Sequence, residues 1–313
     1  MRKIKEDMMM KKMLALLLAV VTVLSLAACG GKESGGNGSG GDTNEPATKP
    51  SNALEQIKAE GVLTVALSPD FSPMEFVDST KTGQDQYAGF DVLLAKFIAQ
   101  ELGVKLEIQA MSFDACQTAV YTGTVPMSIS GYSWTETRAE NYELSDYYYA
   151  GENETEQVLL IRKGDEAKYT KAEDFNGVDV GAQNASLQQQ LVMKQLPDAN
   201  CVTIGDIGVG VLELRSGNIE ALAVAIGNGK QITTNNPDLV QCDWQFEVSE
   251  AEEANLILMQ KGETELLEAV NAALQKAYDS GLYAQWYEEA LEIADRESSI
   301  EVTIPDEEMP DAG

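Results

Sequence analysis

The sequence predicts an α/β protein, and three observations support that class. Strand-like apolar runs alternate with helical patterns, as in the strand 61–67 and the helix 90–102 that Gly103 would cap. Roughly 240 residues lie between residues 53 and 295, enough for two modest domains or one large one. A long amphipathic stretch at 263–294 closes this region. The alternation, with no internal repeat, favours the α/β class.

The individual elements follow from the period of their apolar residues and from the residues that flank them. A break at Ser280 and Gly281 divides the closing stretch into two helices. In chain order, the predicted strands are 61–67, 104–109, 127–130, 178–182, 201–204 and 219–225. The predicted helices are 90–102, 114–121, 187–195, 208–216 and the two within 263–294.

The N-terminus has the features of a secretory signal peptide. Five basic residues, from Arg2 to Lys12, precede an apolar run at 13–28 that is too short to span a bilayer comfortably. The run closes with Leu-Ala-Ala-Cys, and small residues directly before a cysteine are typical of a lipoprotein cleavage site. We therefore predict a signal peptide at 1–28 and a lipid-modified Cys29. The alternative is a buried helix with a chance cysteine.

Two polar segments flank the predicted domains. Residues 29–52 are mostly Gly, Ser, Asn, Thr and Pro, which predicts a flexible tether. Residues 296–313 carry six acidic residues and no apolar period, which predicts an acidic tail. Removal of residues 1–28 takes a net +3 from the formal charge of −29 and leaves −32. So negative a protein is a poor partner for nucleic acid, and its predicted membrane contact is the lipid anchor alone.

Residue usage excludes several classes of enzyme. The chain has no histidine, so it has no Ser–His or Cys–His nucleophile pair. Beyond Cys29 the cysteines are Cys116, Cys201 and Cys242, an odd count that leaves at least one free or paired outside the chain. Export permits a bond between Cys201 and Cys242, but burial as small apolar residues is the favoured interpretation. The pattern predicts neither a metal site nor a cofactor.

Nine short segments together resemble the family 3 solute-binding proteins of polar amino-acid importers. One reads Ser-Gly-Tyr-Ser-Trp-Thr-Glu-Thr-Arg at 130–138, and another reads Ala-Gly-Phe-Asp-Val at 88–92. The remaining segments are 63–77, 95–99, 101–104, 112–115, 145–148, 158–164 and 279–283. They occur in the family's order and spacing, and the resemblance extends over about residues 53–293.

This resemblance implies a two-lobed type II periplasmic-binding-protein fold, in which two mixed sheets flanked by helices enclose the solute between them. Lobe I would comprise 53–150 and 250–295, and lobe II would comprise 151–249. A two-strand hinge would join the lobes, with the outbound crossing near 149–157 and the return near 246–254.

The resemblance further implies a monomeric binding protein rather than an enzyme. Anchored to the outer face of the cell membrane through Cys29, it would capture a small carboxylate-bearing solute, above all an amino acid, and deliver it to an ABC permease. Two alternatives stay open, a sensing protein that presents its solute to a membrane receptor and a dehydratase of the same fold. The sequence does not separate transport from sensing, because the clamp is the same and only the partner differs.

Arg138 offers the clearest chemistry, because a guanidinium can hold a carboxylate through two parallel hydrogen bonds. In the family the matching arginine, eight residues after the matching serine, holds the α-carboxylate. Ser130, Gly131 and Ser133 lie at a predicted strand end, so their N–H groups and hydroxyls can point at the same carboxylate. Without that loop, a solvated helix arginine would be the simpler interpretation.

Five further residues are carried over by their positions. Phe71 and Phe113 match aromatic positions that line the family's cleft, with core packing as the alternative. Ser186 matches a hydroxyl that touches the ligand, and this is compatible with a role as the N-cap of the helix at 187. Tyr132 and Trp134 lie in the cleft loop, where they indicate either an aromatic-lined pocket or ordinary packing.

Ala225 departs from the family pattern. By its spacing it occupies the position where the family usually has an aspartate that pairs with the ligand's ammonium. A buried ammonium without a partner costs several kcal/mol. Either the solute lacks an ordinary α-amine, or another acid supplies the pairing, with Glu152 and Glu154 as candidates. A solvated hinge loop is the plainer interpretation of those two glutamates.

Overall fold

The computed structural model describes residues 50–148 and 156–298. The predicted signal peptide, Cys29, Glu152 and Glu154 lie outside these residues. Within them, the predicted α/β class with two mixed sheets is confirmed. No helix in these ranges is both long enough and apolar enough to cross a bilayer.

Lobe I consists of the first five-stranded sheet and the elements packed around it. They are α1 (Ala53–Glu60), β1 (Val62–Leu67), β2 (Asp70–Phe71), β3 (Glu75–Val77), β4 (Tyr87–Ala88), α2 (Phe90–Leu102), β5 (Lys105–Ala110), α3 (Phe113–Tyr121), β6 (Met127–Ser133), α4 (Glu136–Asn141), β7 (Tyr142–Leu144), β13 (Asn255–Gln260), α8 (Thr264–Asp279) and α9 (Leu282–Ser298). The sheet order is β5-β1-β6-β13-β7, with β13 antiparallel to both neighbours. Strands β2, β3 and β4 form a separate antiparallel sheet.

Lobe II consists of the second five-stranded sheet and its helices. They are β8 (Gln157–Arg162), β9 (Asp179–Gln183), α5 (Leu187–Gln195), β10 (Asn200–Ile204), α6 (Ile207–Ser216), β11 (Ala221–Ala225), α7 (Ile226–Asn235) and β12 (Leu239–Phe246). The sheet order is β10-β9-β11-β8-β12, in which the first three strands are parallel and β8 is antiparallel to both of its neighbours, β11 and β12. The order reverses around β9 and β11, the kind of position where α/β sheets bind ligands.

Local sequence determines where the helices begin and end. The Asn52 side chain accepts the Glu55 amide hydrogen and starts α1. Gly103 ends α2 in a left-handed conformation, as the sequence predicts. Gly89 precedes α2 with φ 119°, and a Cβ there would collide with the Met74 carbonyl oxygen. Only glycine fits this turn, which aims the first turn of α2 at the end of β6.

In both lobes apolar clusters cover the two faces of the five-stranded sheet. In lobe I, the Phe90 ring packs against Tyr148, Tyr283 and Trp286, with centroids 5.7–6.1 Å apart, and joins α2 to the C-terminal helix. In lobe II, β8 is buried on both faces. Alternate residues such as Leu159 and Leu160 therefore belong to apolar clusters on opposite sides of the sheet.

The structure differs from the sequence-based expectations in three details. Strand β6 continues to Ser133, because Ser133 pairs with Asn255 of β13. The return connection at 247–254 is a loop with turns rather than a regular strand, and the Ser249 hydroxyl and amide bind Glu252 there. Helix α9 reaches Ser298, so the first residues of the predicted tail are helical. The lobe boundaries at 150 and 250 stay predictions.

The cysteines of the described chain are unpaired. Cys116 and Cys242 are buried and Cys201 is partly buried. The Cys242 thiol lies 2.9 Å from the Tyr169 carbonyl oxygen rather than beside Cys201. The favoured interpretation of these residues as small apolar groups is therefore confirmed for Cys116 and Cys242.

Candidate ligand-binding site

A small cavity lies between the two lobes. Its volume is about 30 Å³. Lobe I contributes Phe71, Phe113, Ser130, Gly131, Ser133 and Arg138, and lobe II contributes Gln183, Leu187, Gln188, Ile207, Ala223, Val224 and Ala225. Side chains from both lobes therefore meet across the cavity.

Arg138 is buried in the wall of this cavity, with 2% of its surface exposed. Its backbone amide donates to the hydroxyl of Thr135, which caps α4. Its guanidinium donates to the carbonyl oxygen of Ser133 at 2.6 Å and to the Gln117 side chain at 3.3 Å. A third bond, of 3.0 Å, crosses to the Ala185 carbonyl of lobe II. The guanidinium is therefore held in one orientation beside the cavity.

Aromatic rings flank the guanidinium of Arg138. Its central carbon lies 5.5 Å from the ring centre of Phe113 and 5.1 Å from that of Tyr132. At these distances the rings attract the cation and help to offset its desolvation. Of the two, only Phe113 lines the cavity. Phe71 lines it too, and it also packs against the apolar clusters of both lobes.

Three of the predicted site residues lie outside the cavity lining. Tyr132 is fully buried in lobe I, where its hydroxyl forms a 2.8 Å hydrogen bond with Ser128. Trp134 packs against the apolar cluster that contains Tyr132. Ser186 is the N-cap of α5, and its hydroxyl accepts the Gln189 amide hydrogen. Packing explains the two aromatic residues, and helix capping explains Ser186.

Ser130 and Gly131 line the cavity, but their donors point into lobe I rather than toward a ligand. The Ser130 hydroxyl donates to Glu75 at 2.7 Å and accepts the Ser68 amide hydrogen. The Gly131 amide donates to Asp91 at 2.8 Å. Two buried acids accept these donors in this conformation, and their convergence with Ser133 on a solute carboxylate stays a prediction.

Glu75 and Asp91 form a buried acid pair beneath the end of β6. Burial, followed by repulsion from Asp91, raises the pKa of Glu75 well above its usual range. Burial raises the pKa of Asp91 to about 6, although the Gly131 amide and the Tyr148 hydroxyl oppose that shift. The Tyr148 hydroxyl lies 2.9 and 3.0 Å from the two oxygens of Asp91. The pair therefore holds the cavity-lining residues 130–131 from below.

Lobe II presents a mainly apolar wall. Ala225, fully buried, ends β11 and precedes the first residue of α7. Among the described lining residues none is a carboxylate, so Arg138 supplies the one formal charge there. Gln183 and Gln188 supply amides that the sequence analysis missed. Gln183 could have been found, because it is the last residue of a parallel strand next to the predicted ligand-binding edge.

The Ala185 turn brings a lobe II carbonyl to Arg138. Ala185 has φ 60°, a left-handed conformation that L-residues other than glycine and asparagine seldom adopt. Its amide donates to the Gln189 side chain, and its carbonyl accepts from both Arg138 and Gln117. Strained backbone of this kind concentrates at functional sites. Elsewhere in the described ranges, no group of three or more acidic or cysteine side chains could hold a metal ion.

Comparison with known proteins agrees with this architecture. A model of the bacterial extracellular solute-binding proteins, family 3, matches residues 63–292. The arginine-binding extracellular protein ArtP of Bacillus subtilis is 27% identical over 287 residues, which cover 89% of this chain and 98% of the relative.

Two solved structures extend the comparison. An amino acid ABC transporter substrate-binding protein, AbpA from Streptococcus pneumoniae, bound to L-arginine, is 35% identical with a TM-score of 0.70, covering 77% of this chain and 98% of that one. An ancestral amino acid-binding protein, AncCDT-1, a precursor of cyclohexadienyl dehydratase, is 28% identical with a TM-score of 0.65, covering 75% and 98%. Since the family model spans most of its length, the chain belongs to the family 3 bacterial extracellular solute-binding proteins.

Proposed function

We propose that this protein captures a small carboxylate-bearing solute, an amino acid in the first instance, and delivers it to an ABC permease. The buried guanidinium of Arg138 carries the proposal, because it is the cation that faces the interlobe cavity. A carboxylate that replaced the backbone carbonyls now bonded to Arg138 would gain two charge-assisted hydrogen bonds. The arginine-binding relative and the arginine-bound structural neighbour support the same class of solute.

The arrangement supports binding rather than turnover. The chain lacks histidine, and the described cavity lining contains no acid that could act beside Arg138. Among the proteins compared, ArtP and AbpA are named as binding proteins, and AncCDT-1 is a binding protein that preceded a dehydratase. We therefore assign no catalytic residue, and turnover of cyclohexadienyl acids would revive the enzymatic alternative.

Delivery to a permease requires that the protein stay at the outer face of the membrane. We propose that Cys29 carries the lipid and that residues 29–52 form the tether. Family membership supports an extracytoplasmic location. Mass spectrometry of the membrane-extracted protein should find the mature chain beginning at a diacylated Cys29. We further propose that the protein acts as a monomer.

We expect the solute to bind by lobe closure. Native purification followed by mass spectrometry should identify a carboxylate carried with the protein, and adding that compound to the stripped protein should reduce the radius of gyration in X-ray scattering. The reason is that contacts from both lobes surround the cavity. An unchanged radius with saturating authentic solute would exclude the clamp mechanism.

The uncharged side chain of Ala225 leads to a prediction about the α-amino group of the solute. We expect amino acids to gain little affinity over their deaminated analogues, because neither Ala225 nor another described lining residue offers an anion to an α-ammonium. Calorimetry of both series should show that the deaminated analogues bind as tightly as the amino acids or more tightly. Ala225→Asp should then favour the amino acids, with Ala225→Asn as the uncharged control.

One result would contradict the inference from Ala225. If amino acids bind the wild type far more tightly than their analogues, another group must pair with the ammonium. The variants Glu152→Gln and Glu154→Gln identify that group when they remove the preference. If both retain it and every other nearby acid is also dispensable, the inference from Ala225 is wrong.

A further inference from the structure

Asp70 is a lobe I carboxylate whose hydrogen bonds extend to lobe II. One of its oxygens accepts from the Gln183 side-chain amide at 2.8 Å and from the Ile207 backbone amide at 3.0 Å. The other accepts from the Ser68 hydroxyl at 2.8 Å within lobe I. Both cross-lobe partners line the ligand cavity, whereas Asp70 itself does not. Asp70 therefore touches the wall of the site and not its interior.

The partner on lobe II is suited to a negative charge. Ile207 is the first residue of α6, where amide hydrogens point outward and the helix dipole favours an anion. A charged acceptor also strengthens both hydrogen bonds relative to a neutral one. Burial raises the pKa of Asp70, and nearby Asp206 adds repulsion, while the Ile207 amide and the Ser68 hydroxyl act in the opposite direction. The hydrogen bonds from these donors thus offset the cost of removing the Asp70 carboxylate from water.

These bonds exist only while the lobes are together. When the lobes separate, the Asp70 carboxylate exchanges two protein donors for water, and the contact contributes nothing to the open form. An interaction made in only one of two conformations shifts the equilibrium toward that conformation. Because Asp70 does not line the cavity, this contribution adds to the closing energy that the solute supplies.

We propose that Asp70 is a positioning residue that clasps lobe II in the closed conformation and thereby slows solute release. The proposal rests on the clamp function proposed above. It assigns to Asp70 a part in solute retention that is separate from the carboxylate contact of Arg138. The Gln183–Asp70 bond also fixes the orientation of a cavity-lining amide, so the clasp and the wall of the site are coupled.

The first test uses the solute-free protein, because the clasp holds the fraction of that protein that is closed before solute binds. Hydrogen exchange of the full chain should show that the Ile207 amide exchanges about tenfold faster in Asp70→Ala, with a smaller increase in Asp70→Asn, which keeps one acceptor oxygen. Scattering should show a larger radius of gyration in the same order. Ser68→Ala is the matched control, because it removes a bond to Asp70 that does not cross the lobes.

The second test uses L-arginine as the probe in stopped-flow binding. We expect Asp70→Ala to raise the dissociation rate about tenfold and to leave the association rate within twofold, because encounter takes place with the open form. A purely structural role would instead lower thermal stability and affect both rates. Gln183→Ala combined with Asp70→Ala should be less than additive if the two side chains act as one clasp.

Two outcomes would overturn the proposal. One is an unchanged Ile207 exchange rate and radius of gyration in a folded Asp70→Ala protein. The other is the same dissociation rate in Asp70→Ala and wild type. Failure of L-arginine to bind the wild type would instead count against the proposed solute class, and the exchange and scattering results would still decide the role of Asp70.

Discussion

We expect Arg138→Ala to weaken solute binding by about 2–5 kcal/mol, the range for truncating one partner of a buried, hydrogen-bonded charge pair. The low end corresponds to roughly thirtyfold in affinity. The effect is large because the guanidinium is 2% exposed and is the one formal charge in the described lining. A carboxylate that lost it would remain in a site walled by apolar side chains of lobe II, with no comparable donor.

Calorimetry on folded variants measures this effect. Arg138→Lys should recover only part of the affinity, because an ammonium cannot form the two parallel bonds of a guanidinium. Arg215→Ala is the matched control, since Arg215 forms an exposed ion pair with Asp238 on the surface of lobe II. Wild-type affinity in a folded Arg138→Ala protein would remove Arg138 from the site.

The second large effect that we expect is a pH-dependent loss of stability caused by the Glu75–Asp91 pair. An ordinary aspartate has a pKa of about 3.9, and burial raises that of Asp91 to about 6. The folded protein therefore binds a proton that the unfolded chain has released. The stability that this proton contributes is complete below about pH 4 and is lost as the pH rises through 6. The total loss is about 3 kcal/mol.

The other acidic groups of the chain also titrate, so the measurement compares wild type with Asp91→Asn. Denaturant unfolding at pH 4 and pH 7 should show that the variant gains about 3 kcal/mol relative to wild type over this interval. Ser130, Gly131, Tyr148 and the nearby Asp70 are the polar groups that face the pair. Glu75→Gln should leave the transition near the same pH, because Glu75 lowers the pKa of Asp91 through a side-chain hydrogen bond that a glutamine amide can also donate.

If the free energies of unfolding of wild type and Asp91→Asn change equally between pH 4 and pH 7, the assignment is wrong. A control is offered by Asp78, a carboxylate whose pKa is lowered chiefly by hydrogen bonds from Thr80. Asp78→Asn should instead lower stability by an amount that is already complete at pH 4 and stays constant to pH 7, because the pKa of Asp78 is shifted below its ordinary value. The two variants thus separate an acid whose pKa is raised by burial from one whose pKa is lowered by hydrogen bonds.

Much of the fold could be predicted because its determinants are local. The helix 90–102 and its terminating Gly103 were visible as an apolar period followed by a residue that tolerates positive φ. The return connection at 247–254 could not be predicted in detail. Its glutamates lack an apolar period, and whether a strand forms there depends on a pairing partner from elsewhere in the chain.

The candidate site could also be predicted in part, because some of its residues have a local signal in the sequence. Arg138 and Phe71 were found because residue type and motif position point to the cavity. Ser130 and Gly131 were found too, but the direction of their donors depends on Glu75 and Asp91, which lie at least 40 residues away along the chain. Asp70 was missed because its partners, Gln183 and Ile207, belong to the other lobe. Hydrogen-bond direction between distant segments has no signature in a single sequence.

The position of β13 has a consequence for the order in which the two five-stranded sheets can form. This strand lies between β6 and β7, although it follows β7 by more than a hundred residues. Lobe II is contiguous, so its five strands can pair as soon as residue 246 has emerged during export. The first sheet must wait for residues 255–260, and until then β6 and β7 have unpaired edges. A chain truncated before residue 255 would thus expose two strand edges to aggregation, whereas its second sheet could already be complete.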